Sequence, residues 1–412
     1  MAAPRTIKTE DPALGAAQLL VRLGVALLAI AVPCGAVGSR RLIFTLVPVG
    51  AALLIIGGML APGSGRPHWR RVLLEPAGLT AMFLVGWMCL SLIWTPYVAT
   101  GSERFFKTAG TVALAIAAAI LLPDRTKTSN LYLLPIGIGA GAVATILVAL
   151  LAPSAGGARS IDIEGSTVDR AAVGLIMLVW PALGALAVRE RWASAGVLAV
   201  FVGLAAILTW NPVAILAMAL GALTFVLAIR KLRQTALVLA GIAGVLFAGA
   251  PLLAIGFGAV GAKLNVNPEG FLGFATIWGD LMKHEGLRLL TGHGIDATAR
   301  GISSGFLSPQ IPRTILLEVW YDLGVIGALA AAVLAARAMM AASHVSEPLG
   351  PFVLSTLVCG LTIAISGIST GQLWWVSLLA VVGIAYGLVI NGQYRTERPH
   401  LSSSEARRLS TA

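Results

Sequence analysis

The chain has 412 residues, of which 58% are hydrophobic and only 11% are charged. A typical soluble domain carries about 25% charged residues, so this composition excludes an ordinary soluble enzyme and predicts a membrane-embedded protein. The formal net charge of +11 does not predict a nucleic-acid partner, because the basic residues stand in short polar segments beside apolar runs. That pattern is typical of a membrane-topology signal.

The apolar runs predict an all-α, polytopic bundle of about 12 transmembrane helices, since each span needs roughly 20 apolar residues. No run has the alternating polarity of a barrel strand. The first run contains Arg22 and has no separate small-residue cleavage site, so we expect it to remain as a span. In chain order the predicted spans lie near 14–37, 42–62, 77–95, 108–123, 130–152, 169–188, 194–210, 212–230, 235–258, 314–341, 350–369 and 371–391.

Lys and Arg are distributed unevenly between the two sets of loops that these spans create. The loops on the side of the N-terminus carry most of them, which predicts a multi-pass protein with both termini in the cytoplasm. The interval of about 259–313, between spans nine and ten, is then one long external loop, which in a bacterium with two membranes lies in the periplasm. Residues 1–391 are expected to form a single membrane-embedded domain, and the polar residues 392–412 a disordered cytoplasmic tail.

Two arginines stand out because each opens an apolar span. Arg170 and Arg313 are expected at the membrane boundary, where the phosphate of a lipid-linked substrate also lies. Arginine stays charged and matches phosphate oxygens with two parallel hydrogen bonds. Any single cation just outside the bilayer is also explained as an anchor that reaches toward lipid headgroups, but that explanation fits Arg170 and Arg313 less well because each opens a span. Arg300 adds a further cation within the long loop.

The polar interval around residue 293 also carries groups that can accept a proton. His293 is the first candidate, because histidine in water has a pKa near neutrality; Asp296 and Asp322 are weaker choices. Glu318 and Asp322 are four residues apart on the tenth span and share a helix face. An acid at this depth normally faces a cavity or a cation, and Arg313 is one such cation.

Several common motifs are absent from the sequence. The run from Gly292 to Gly301 lacks the GxGxxG spacing and the preceding strand of a dinucleotide site. No G-x-S-x-G, HExxH or close histidine pair occurs, so neither a serine triad nor a metal site is indicated.

Two short elements have the spacing of a known signature. Gly292-His293-Gly294 is followed by Arg313-Thr314, then by nine residues and Gly324-Val325-Ile326-Gly327. This region resembles the O-antigen ligase and polymerase family of bacterial inner-membrane proteins. The chain departs from the family pattern at three places, because Arg313 replaces a histidine, Phe274 replaces an arginine, and Thr209-Trp210-Asn211-Pro212 lacks an arginine.

The resemblance implies glycosyl transfer in cell-envelope polysaccharide assembly. A glycan on undecaprenyl pyrophosphate would pass to an acceptor sugar on lipid A core or on a growing polysaccharide, without a cofactor, metal or ATP. The predicted catalytic residues are His293, Arg313 and Asp322. The predicted substrate-binding residues are Arg170, Arg300 and Glu318.

Two other functions remain open from the sequence. One is a non-catalytic subunit that binds a glycolipid in a polysaccharide export system. The other is a transporter of lipid or polysaccharide, which would need a continuous polar path across the membrane.

Overall fold

Long apolar segments fold as helices, because in lipid each backbone N–H must find its acceptor within its own segment. The computed structural model describes residues 12–61, 73–123, 128–151, 166–264, 271–308 and 311–392. Of the predicted cytoplasmic tail, residues 393–412 lie outside the described residues. The helices are α1 (Pro12–Ala26), α2 (Val32–Ala36), α3 (Arg40–Leu60), α4 (Pro76–Leu90), α5 (Val98–Ile120), α6 (Thr128–Leu151), α7 (Thr167–Ala187), α8 (Trp192–Leu208), α9 (Pro212–Lys263), α10 (Phe271–His284), α11 (Arg288–Thr291), α12 (Ala297–Ser303), α13 (Ile315–Ala342), α14 (Gly350–Gly367) and α15 (Leu373–Ile390).

The predicted all-α class is confirmed in the described part of the chain. Within those ranges nine helices are long and apolar enough to cross a membrane; in one of them α1 continues into α2 through a π-helical turn at Leu27–Ala31. The finer predictions, about twelve spans and a long loop on the periplasmic side, stay predictions.

Helix α9 consists of two arms that meet at Lys231, whose torsion angles are not helical (φ −148°, ψ 66°). The first arm runs antiparallel to α14. Leu232 lies against Gly350 at the start of α14, whereas Cys359, further along α14, donates a hydrogen bond from Sγ to the carbonyl oxygen of Ala217 at 3.1 Å.

The second arm of α9 runs antiparallel to α13. Ala240 shares an apolar cluster with Met339, near the end of α13. Further along α9, the carbonyl oxygen of Phe247 accepts a hydrogen bond from Trp320 Nε1 at 2.6 Å. Since α13 and α14 are packed neighbours joined by the short turn at 343–349, they are antiparallel. The chain therefore reverses its direction at the bend in α9.

Helix α7 is the central helix of the bundle. Every residue from Val168 to Ala187 is buried, and α6, α8, α14 and α15 pack around it. Because the helix is covered on all sides, its first turn has a fixed position at one end of the bundle.

The interval predicted as a long loop contains α10, α11 and α12 where it is described. These helices pack on α13: Trp278 donates a hydrogen bond from Nε1 to the carbonyl oxygen of Pro312 at 3.0 Å, and Trp278, Ala297 and Tyr321 share one apolar cluster. The interval is thus a packed helical unit that can hold side chains in place.

Candidate functional site

One cavity of about 330 Å³ collects arginines from four separate elements. Arg41 lies at the start of α3, Arg104 on α5, Arg170 on α7, and Arg313 just before α13. Four guanidinium groups around one space favour an anionic ligand. We call this space the arginine cavity; its lining residues are Arg41, Phe44, Arg104, Arg170, Ala299, Arg313, Ser369, Gly371, Gln372, Leu373 and Trp374.

The two predicted boundary arginines line this cavity together. Arg170 is in the first turn of α7 and is only 5% exposed. That turn is capped by Ser166, whose hydroxyl accepts a hydrogen bond from the backbone N–H of Asp169 at 3.2 Å. Arg313 follows Pro312, which is held by Trp278. The structure thus brings two arginines from distant parts of the chain to one site, and their contact with a ligand stays a prediction.

Arg41 and Arg104 were missed as site residues by the sequence reasoning. Each stands in a short polar segment beside an apolar run, a position that is also typical of a topology signal or a membrane anchor. One signal was available, because the predicted spans place both residues in loops on the side opposite the N-terminus, as they do Arg170 and Arg313. Which of the cations on that side meet depends on how α3, α5, α7 and α13 pack.

A second cavity of about 260 Å³ adjoins the first, and we call it the side cavity. It includes the predicted substrate-binding residue Arg300. The two cavities share Phe44, Arg104, Gly371 and Leu373. The other residues of the side cavity are Thr100, Glu103, Lys107, Thr108 and Arg300.

Asp296 is a buried residue that pairs with arginines lining the two cavities. Its side chain has no solvent exposure, and its Oδ1 accepts a hydrogen bond from Arg104 Nη1. Its Oδ2 accepts one from Arg300 Nε at 3.2 Å. Its backbone is left-handed (φ 70°), a conformation that Asp tolerates better than most residues. A single buried carboxylate therefore orients one cation of each cavity.

Glu318, a predicted substrate-binding residue, supports the arginine cavity from outside its lining. The side chain is buried, and its Oε2 accepts three hydrogen bonds: from Ser369 Oγ (2.8 Å), from Thr370 N (2.7 Å) and from Thr370 Oγ1 (2.8 Å). The segment 369–372 that it holds forms one wall of the cavity. Because a carboxylate accepting several hydrogen bonds fixes its donors firmly, Glu318 determines the shape of that wall.

Asp322, a predicted catalytic residue, is buried beneath α12. Its Oδ1 accepts hydrogen bonds from the backbone N–H and the hydroxyl of Thr298, at 2.8 Å and 2.6 Å. Its backbone carbonyl oxygen accepts one from Gly294 N at 2.8 Å. Asp322 lines neither cavity and holds the 291–300 segment, which carries Asp296 and Arg300.

His293, like Asp322 a predicted catalytic residue, also contacts neighbouring side chains and backbone. Its ring stacks on Tyr321 with centroids 4.2 Å apart and an angle of 12°. Its Nε2 lies 3.0 Å from Glu285 Oε2, and its backbone N–H donates to the carbonyl oxygen of Tyr321 at 2.9 Å. Like Asp322, it lines neither cavity. The three predicted catalytic residues are therefore divided, with Arg313 in the cavity and the other two in its support.

Two glycines of the signature region occupy positions where the backbone allows no other residue. Gly292 (φ 72°, ψ 179°) and Gly324 (φ 67°, ψ −167°) both adopt a backbone conformation that is essentially restricted to glycine. Each faces the other segment's backbone: a Cβ on Gly292 would overlap the carbonyl group of Asp322, and one on Gly324 would overlap that of Leu290. This close approach places the His293 loop directly on α13.

In the described ranges, no group of three or more His, Cys, Asp or Glu side chains could hold a metal ion. Comparison of the sequence with models of known protein families finds no match, and comparison with curated proteins finds none either.

Proposed function

We propose that this protein transfers a glycan from undecaprenyl pyrophosphate to a sugar hydroxyl at the periplasmic face of a bacterial inner membrane. The acceptor is lipid A core or a growing polysaccharide. The observation that carries the proposal is the arginine cavity at the end of an apolar helical bundle. A lipid-linked pyrophosphate has its negative charge where the bilayer ends, which is the charge distribution that such a cavity complements.

The proposed reaction needs cations more than it needs any other group. The bond between the anomeric carbon of the glycan and the pyrophosphate oxygen breaks, the acceptor oxygen bonds to that carbon, and the acceptor proton is released. Negative charge develops on the departing oxygen, and fixed donors around it lower the barrier. Arg170 and Arg313, with Arg41 and Arg104, are the groups that would stabilise this charge.

The attacking hydroxyl of the acceptor sugar also needs a base that takes its proton. Pyrophosphate is a good leaving group, so charge builds on it early and the demand on the base is modest. Direct proton transfer by His293 or Asp322 stays a prediction, since neither residue lines either cavity. His293 and Asp322 can still affect the rate of glycan transfer, because they hold the 291–300 segment in place.

Two arginine substitutions test the proposal, Arg170→Ala and Arg313→Ala. Each is expected to lower the transfer of a glycan from undecaprenyl pyrophosphate at least about 100-fold, the typical effect of removing one such donor. Arg233→Ala is the matched control. Arg233 is exposed and neighbours Leu232, which packs at Gly350, at the opposite end of α14 from the cavity. Full activity of both cavity variants would reject the assignment of the site.

A second candidate function, binding of a lipid-linked glycan without transfer, is favoured by one observation. Among the described residues that line the two cavities, none is a histidine, and Glu103 is the single carboxylate. The two functions differ in one measurement, because only a transferase releases free undecaprenyl pyrophosphate when the purified protein meets donor and acceptor together.

A further inference from the structure

One face of α5 forms a polar wall of the side cavity. Thr100, Glu103, Arg104, Lys107 and Thr108 line it and recur at helical spacing, so they lie on one side of the helix. Arg300 adds a cation from α12, while two apolar side chains from α3 and α15 complete the lining. Hydroxyl and charged groups beside a small apolar surface suit a polar ligand that is partly buried, such as a sugar.

Of the cations in the side cavity, Lys107 is held most loosely, because Arg104 and Arg300 pair with the buried carboxylate of Asp296. Lys107 forms an ion pair with Glu103 in which the side chains are 56% and 61% exposed. The hydrogen bond from Lys107 lowers the pKa of the Glu103 carboxyl, so Glu103 is ionised at neutral pH. Exposed ion pairs are weak, and an anion that enters the side cavity can therefore replace Glu103 as the partner of Lys107. Arg300 uses Nε for Asp296, and its side chain is 43% exposed.

We propose that the side cavity is a subsite for a carboxylate-bearing sugar, the one attached directly to the pyrophosphate of the lipid-linked glycan. This inference rests on the proposed function, in which the pyrophosphate occupies the arginine cavity. The two cavities share Arg104 and Gly371, so a group attached to the pyrophosphate extends directly into the side cavity. Lys107 and Arg300 line only the side cavity and are the cations that it adds.

A matched pair of ligands tests the subsite. Undecaprenyl pyrophosphate linked to glucuronic acid and the same lipid linked to glucose differ only in a carboxylate in place of a hydroxymethyl group. Binding of each to the full-length protein in detergent micelles is measured at neutral pH. We expect the glucuronic acid ligand to bind roughly two- to tenfold more tightly, which is the scale of one or two partly exposed charge pairs.

Two neighbouring substitutions on α5 have opposite expected effects. Lys107→Gln removes the cation and should reduce the preference for the acidic ligand to less than about twofold. Glu103→Gln removes the carboxylate that competes for Lys107 and should increase that preference by about twofold or more. Both side chains are more than half exposed, so neither change removes packing, and a general loss of folding cannot produce effects of opposite sign.

Each outcome decides the matter. Equal affinity of the wild type for the two ligands, with both abolished by Arg313→Ala, would overturn the subsite and leave the proposed function standing. An equal loss of affinity for both ligands in Lys107→Gln would also overturn the subsite. That result would show that Lys107 attracts the pyrophosphate common to both ligands and does not recognise the sugar carboxylate. If the wild type binds neither ligand, the subsite and the proposed function fall together.

Discussion

Gly371 leaves room for the guanidinium group of Arg104. A Cβ atom at Gly371 would overlap Nη1 and Cζ of Arg104, and the same guanidinium donates to the buried carboxylate of Asp296. The loop that contains Gly371 is itself held by Glu318. Arg104, the cation common to both cavities, is therefore positioned from two sides by segments that are far apart in the sequence.

Gly371→Ala should displace Arg104 while leaving the fold intact. The added methyl group meets the end of a flexible side chain and not the backbone, so the side chain can move away. We expect the affinity for undecaprenyl pyrophosphate to fall about tenfold, the scale of one charge-assisted hydrogen bond. The midpoint of thermal unfolding should fall only modestly, because Asp296 keeps Arg300 as a partner. Gly383→Ala on α15 is the control, since an added Cβ there meets no atom within 4 Å. Wild-type affinity of Gly371→Ala would show that Arg104 does not contact the ligand.

Glu318 is expected to act on the cavity wall through its hydrogen bonds more than through its negative charge. In Glu318→Ala, Ser369 and Thr370 lose the acceptor of three hydrogen bonds, and we expect a loss of unfolding free energy of about 3 kcal/mol. Glu318→Gln keeps an oxygen in that position and should retain most of the stability and of the ligand affinity. Thermal unfolding in detergent and binding of undecaprenyl pyrophosphate measure the two effects. If Glu318→Gln were stable yet lost binding, the negative charge itself would be required at the site.

The helical class could be predicted from the sequence, because it depends on local properties, and Arg170 and Arg313 could be selected as candidate site residues on the same basis. The length and polarity of an apolar run predict a membrane helix, and an arginine that opens such a run is expected at the membrane boundary. Arg170 and Arg313 satisfy this rule. Arg41 and Arg104 satisfy it nearly as well, but nothing local distinguishes a boundary arginine in a cavity from one that faces lipid headgroups.

The supporting contacts could not be predicted, because they join segments that are distant in the sequence. The residues 369–372 read as a short connection between two spans, and their role emerges only from the contact with Glu318. His293 was favoured by its residue type, yet residue type does not reveal that the ring stacks on Tyr321 and contacts Glu285. The bend at Lys231 was predicted in part, since separate spans were expected before and after it, at 212–230 and 235–258.

Gly292 and Gly324 should tolerate no side chain. For either residue, substitution by Ala combines an unfavourable backbone conformation with overlap against a backbone carbonyl group. Such changes cost about 2–5 kcal/mol, so we expect much less folded protein on size-exclusion chromatography and a markedly lower thermal midpoint. Gly256→Ala on α9 is the matched control, because its Cβ meets no atom within 4 Å and alanine favours the helix. Wild-type stability of Gly324→Ala would contradict the close approach of the two segments.

Asp322→Asn separates support of the 291–300 segment from proton transfer. Both hydrogen bonds from Thr298 end on Oδ1, and asparagine also offers an oxygen there but cannot accept a proton from the acceptor hydroxyl. We expect Asp322→Asn to keep at least about a tenth of the wild-type transfer rate, because it keeps the oxygen that holds Thr298. Loss of a general base would instead cost about 10²–10⁴-fold. Thr298→Val, which removes one of the same hydrogen bonds, should lower the unfolding free energy by about 1–2 kcal/mol with a similarly small effect on the rate. A folded Asp322→Asn variant with a rate reduced more than about 100-fold, beside a nearly normal Thr298→Val, would instead identify Asp322 as the proton acceptor and require the segment to open during the reaction.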